Sequence, residues 1–130
     1  MSVDLQMLVW TAALCVLQAL PYTFALILKV GPVRAMSYPQ PGQDLLPEWG
    51  RRSKRSHANL VENLVPFAVL VLAAHVTGTA NATTALGATI FFWSRIAMVV
   101  GHTFAIPFLR SVAWIVSLVA LGMILAQILG

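Results

Sequence analysis

Arg51-Arg52-Ser53-Lys54-Arg55-Ser56-His57-Ala58-Asn59-Leu60-Val61-Glu62-Asn63-Leu64-Val65-Pro66 passes without a break from a basic run into an apolar segment that carries Asn59 and Glu62. At about 100° per residue, Arg51, Arg55, Asn59, Glu62 and Pro66 fall on one narrow helical stripe. A cation, an amide and a carboxylate aligned where a helix enters an apolar medium are costly to bury. A partner helix or a polar ligand must compensate them.

The surrounding chain supplies that apolar medium. Its 130 residues are 59% hydrophobic and 9% charged, whereas a soluble domain is roughly a quarter charged. The composition excludes a soluble domain and predicts an all-α integral membrane protein, a bundle of four spans of about 20 residues each. The formal charge of +4 does not point to nucleic acid, because the basic residues flank the spans, where they set orientation. The single cysteine, Cys15, lies in an apolar run. It reads as a small buried hydrophobe, and neither a disulfide framework nor a metal cluster is expected.

One membrane domain, 1–130, is expected, with spans at about 3–30, 51–77, 83–104 and 110–129. Asp4 stands where a signal peptide would be positive, and no small-residue cleavage site follows, so the first span reads as a retained helix. Pro21 predicts a kink within it. The connection 31–50 holds Pro32, Pro39, Pro41, Gly42 and Pro47 and is expected to be irregular, with Asp44 and Glu48 as solvated carboxylates. Gly78 to Asn81 and Ala105 to Phe108 read as short turns. Asn81-Ala82-Thr83 matches a glycosylation pattern, but so short a turn lies too close to the bilayer for its use. Lys29, Arg34, Arg51, Arg52, Lys54, Arg55 and Arg110 all fall on or beside the first and third connections. The excess of positive charge on cytoplasmic loops then predicts cytoplasmic basic connections and non-cytoplasmic termini.

Counting from the outer turn places Glu62 roughly 22 Å deep and Arg95 roughly 18 Å deep, with the arginine long enough to climb. Glu62 and Arg95 are therefore expected to pair across helices, each neutralising a charge otherwise costly to bury. Arg95, Met98 and His102 share one helical face, and Arg110, Trp114 and Ser117 share another, with Ser111 beside Arg110. The half of the bundle nearer the basic connections thus gathers its polar groups, and the other half offers little beyond His75 and Gln127. This gathering reads either as a structural network that fixes helix register or as a binding site. Arg55, Arg95 and Arg110 against one intramembrane carboxylate favour a site for an anion with planar carboxylate groups.

Three motifs on these helices carry a family resemblance. Arg55-Ser56-His57-Ala58-Asn59-Leu60-Val61-Glu62 followed by Pro66 resembles the Arg-x-x-x-Asn-x-x-Glu signature of the membrane-associated proteins in eicosanoid and glutathione metabolism, called MAPEG. Ser94-Arg95-Ile96-Ala97 resembles that family's third-helix motif, and Pro107-Phe108-Leu109-Arg110-Ser111-Val112-Ala113-Trp114 its fourth-helix motif. The resemblance implies a homotrimer that binds glutathione between subunits near the cytoplasmic side. It implies Arg110 and Ser111 as catalytic residues at the glutathione thiol. Arg55, Asn59, Glu62 and Arg95 would hold the peptide's charged groups, with His102 and Trp114 also in the binding set. A guanidinium beside a thiol lowers its pKa and raises its nucleophilic fraction, and a lipophilic substrate would arrive from membrane lipid.

The chain departs from the prostaglandin-synthesising branch of the family, which the resemblance pairs with arginine, histidine, tyrosine and tyrosine where this chain has Ala58, Met98, His102 and Trp114. Tryptophan stacks and donates one hydrogen bond but has no phenolic proton, so no eicosanoid substrate is assigned. The expected function is a glutathione-dependent transferase or peroxidase for lipophilic electrophiles. The alternative is a non-catalytic member that binds lipid or acts as a scaffold. A proton-coupled drug exporter would carry its carboxylate inside the first helix, where this chain has only the terminal Asp4.

Overall fold

The computed structural model describes residues 1–38 and 44–130. Their regular structure is helical: α1 (Val3–Leu17), α2 (Ala19–Val30), α3 (Pro32–Ala35), α4 (Glu48–Val76), α5 (Ala82–Thr103) and α6 (Pro107–Leu129). The run Val3–Val30, α4, α5 and α6 are each long and apolar enough to cross a membrane. The protein is a multi-pass integral membrane protein built as a four-helix bundle.

The first span breaks at Gln18, ahead of Pro21, where the kink was expected. Pro21 has no N–H for the Leu17 carbonyl and its ring crowds the turn before it, so the helix yields at that turn. Gln18 is buried there, and its Nε2 donates to Ser56 Oγ of α4 at 3.0 Å. About one turn further on, Tyr22 Oη lies 2.8 Å from His57 Nδ1.

α4 begins at Glu48, upstream of the expected Arg51, so the basic run forms its opening turns. Arg51 donates to Glu48 at 2.6 Å and to Asp44 at 3.2 Å. The Leu46 N–H and then the Arg51 guanidinium hold the Asp44 carboxyl below the usual range. Both carboxylates are exposed and fasten the start of the helix. Pro39, Pro41 and Gly42 lie outside the described residues.

α5 is the central helix, packing on α1, α4 and most extensively on α6. Phe67 and Val71 of α4, Ala88 and Phe91 of α5, and Ala120 and Ile124 of α6 form the core. Within it the Phe67 and Phe91 rings stack with centroids 4.1 Å apart. A Cβ on Gly87 would stand 3.0 Å from the Ala120 carbonyl, and one on Gly101 would stand 3.0 Å from the Arg110 backbone nitrogen. Gly87, Ala88 and Gly101 are buried within the chain. Dispersion between closely approaching backbones drives such packing where lipid gives little hydrophobic incentive.

The end remote from the basic run is more polar than expected. Asp4 is 2% exposed. Its Oδ1 lies 2.8 Å from His75 Nε2 and accepts from Ser2 Oγ at 2.7 Å, while Thr84 Oγ1 lies 3.3 Å from its Oδ2. Asn81 caps α5 by accepting from the backbone N–H groups of Thr83 and Thr84, and its Nδ2 donates to Gln127 Oε1 at 2.7 Å. The Asn81 side chain is thus engaged in a cap. The network joins α1, α4, α5 and α6.

Candidate functional site

At the other end, Arg95 is 1% exposed. Its Nη2 donates to Asn59 Oδ1 at 2.7 Å, and its Nε and Nη1 have no hydrogen-bond partner among the described residues. The guanidinium carbon stands 6.0 Å from the centroid of the Phe91 ring. Asn63 Nδ2 donates to the Asn59 backbone carbonyl at 2.8 Å. The expected Glu62–Arg95 pair is absent among the described residues, and Glu62 is exposed. Depth was matched but direction was not. Three residues beyond Asn59 the helix has turned about 60° away, so Asn59 faces α5 while Glu62 faces outward. Pro66 offers no N–H to the Glu62 carbonyl, leaving the backbone there open as well.

Pro107 opens α6, where its fixed φ and missing N–H cost little. Arg110 and Ser111 follow in the first turns, both exposed. The absence of a side chain on Gly101 lets the end of α5 reach the Arg110 backbone, which brings His102 and Arg110 to one place. A cavity of about 450 Å³ is lined by Asn59, Met98, His102, Arg110, Ser111, Trp114 and Ile115. A second, of about 180 Å³, lies at the α5–α6 turn and is lined by Arg52, Arg55, His102 and Arg110 with Gly101, Ala105, Ile106 and Pro107. Among the described residues no carboxylate lines either cavity. Their electrostatics favour an anion.

Of the residues expected to form a site, Asn59, His102, Arg110, Ser111 and Trp114 line the larger cavity. Arg55 lines the smaller one, and Arg95 reaches the larger through Asn59. Glu62 lines neither. Met98 and Ile115 supply apolar walls, and an exposed strip of Trp114, Ile115, Leu118 and Val119 continues along α6. Arg34 and Lys54, which read as orientation residues, line a further cavity of about 650 Å³ with Tyr22, Arg51 and Arg55. The sequence signal for it was the charge of those residues, which also serves orientation.

A model of the MAPEG family matches residues 5–130. No curated protein matches the chain.

Proposed function

The chain belongs to the MAPEG family, and from that premise we propose that it is a glutathione-dependent transferase or peroxidase for lipophilic electrophiles. The observation that carries this reading is the cavity that joins Arg110 and Ser111 to Asn59, His102 and Trp114. Beside it, the buried Arg95 guanidinium keeps two nitrogens without a partner among the described residues, as an anion-binding group would. Arg110 stabilises the glutathione thiolate, lowering a thiol pKa of roughly 8.5 toward neutrality. Ser111 donates to the sulfur. The apolar strip of α6 receives the electrophile from the bilayer, with the basic end of the bundle on the cytoplasmic side.

Charged Arg55, Glu62 and Arg110 are all exposed on the single chain. A bilayer tolerates such groups poorly, which supports a homotrimer in which adjacent subunits cover them and complete the glutathione site. The test is thermal stabilisation of the detergent-purified protein by millimolar glutathione, alongside conjugation of an aryl halide. Stabilisation with turnover is expected. Neither stabilisation nor turnover would leave the non-catalytic, lipid-binding reading in its place.

A further inference from the structure

His102 and Arg110 are the residues common to the two cavities. The larger cavity adjoins the apolar strip of α6, where a lipophilic substrate would lie; the smaller one sits at the α5–α6 turn, at the end of the bundle. Arginine holds its proton in any protein environment. Asn59, Met98, Ser111, Trp114 and Ile115 carry no group that titrates near neutrality. Among the described residues, His102 is therefore the one side chain on the larger cavity able both to take and to give a proton near neutral pH. Its ring nitrogens make no hydrogen bond to any described residue, whereas those of His57 and His75 do. The charged groups facing it are Arg110 from α6, Arg55 and Arg52 from α4, and Arg95 on its own helix.

We infer that His102 is a catalytic proton relay: it takes the proton of the glutathione thiol and returns it to the oxygen that leaves when an organic hydroperoxide is reduced. This rests on the glutathione reading above and adds a base and acid to it. The thiol proton passes to the imidazole as Arg110 holds the thiolate. The sulfur attacks the terminal peroxide oxygen, forming an S–O bond and breaking the O–O bond. Glutathione is oxidised to its sulfenic acid and the peroxide is reduced to an alkoxide, which takes the proton back from the imidazolium to leave as an alcohol. A second glutathione condenses with the sulfenic acid to give the disulfide and water. With an aryl halide, halide departs unprotonated, and the thiol proton leaves by way of the smaller cavity.

Removing the relay should therefore harm the two reactions unequally. His102→Gln and His102→Asn should lower hydroperoxide turnover on the order of a hundredfold relative to aryl halide conjugation by the same variant. Imidazole added to His102→Ala should recover part of the loss. An equal fall in both reactions, or no fall, overturns the role. A measurement on the unaltered protein stands apart from turnover and from the folding of variants. Glutathione is added at a pH where it is a thiol when free, while thiolate absorbance and the His102 ring-carbon resonance are followed. Thiolate formation with protonation of His102 supports the relay, and thiolate formation without it overturns the relay alone. No thiolate, no stabilisation and no turnover overturn the glutathione reading and the relay together.

Discussion

Arg95 of α5 is bonded to Asn59 of α4 at 2.7 Å and not to Glu62, which lies one turn further along the same helix and faces outward. The neutral amide can orient the guanidinium but cannot cancel its charge, so this part of the bundle keeps a net positive field. A carboxylate in the same position would have neutralised it.

That relationship separates the two α4 residues experimentally. Asn59→Leu removes the partner of a buried cation and should destabilise the protein by about 1.5–3 kcal/mol. Glu62→Gln, whose side chain has no partner among the described residues of the chain, should cost less than Asn59→Leu. Reversible unfolding in mixed detergent measures both. A larger loss from Glu62→Gln would show that the arginine is held by the carboxylate after all.

Arg110→Ala removes the charge assigned to the thiolate. An adjacent cation shifts a thiol by about one to two units, so aryl halide conjugation at neutral pH should fall roughly tenfold to a hundredfold. Glutathione should still raise the melting temperature through the remaining residues. Raising the pH should narrow the difference from the parent protein, because the thiolate then forms unaided. A deficit that stays constant with pH would assign Arg110 to binding.

The Asp4–His75 contact at the opposite end makes a separate claim about stability. Asp4→Asn and His75→Gln should each destabilise, and together they should cost less than the sum, with a coupling on the order of 1 kcal/mol. Glutathione affinity should be unaffected, since none of the cavity-lining residues belongs to that network. Additive losses in the double-mutant cycle would mean that the two residues act independently.

How much of this was legible follows from which physical terms are local. Four spans, the basic connections and the polar gathering on α4, α5 and α6 depend on hydropathy and helical period, which the sequence carries residue by residue. The choice between Asn59 and Glu62 depended on how α4 is rotated against α5, and hence on the packing of Phe67 against Phe91. Asp4 looked terminal because its partners His75 and Thr84 are distant in sequence and meet it only when the helix ends are brought together. The close approach of Gly87 and Gly101 to α6 was not read from the sequence. Whether they met α6 or another subunit was a question of topology.

Gly101 is the residue on which that topology bears most directly. A Cβ there would stand 3.0 Å from the Arg110 backbone nitrogen, whereas one on Gly122 of α6 would meet nothing within 4 Å. Gly101→Ala should therefore push the start of α6 away, costing about 1–3 kcal/mol by overpacking, and should move Arg110 and Ser111 relative to His102. Gly122→Ala should be neutral or stabilising by about 0.5–1 kcal/mol, because alanine favours a helix over glycine. Unfolding in mixed detergent gives the stabilities, and turnover at saturating glutathione gives the geometric effect. If Gly101→Ala lost stability but kept full turnover, the α5–α6 approach would serve packing alone and would not set the geometry between His102 and Arg110.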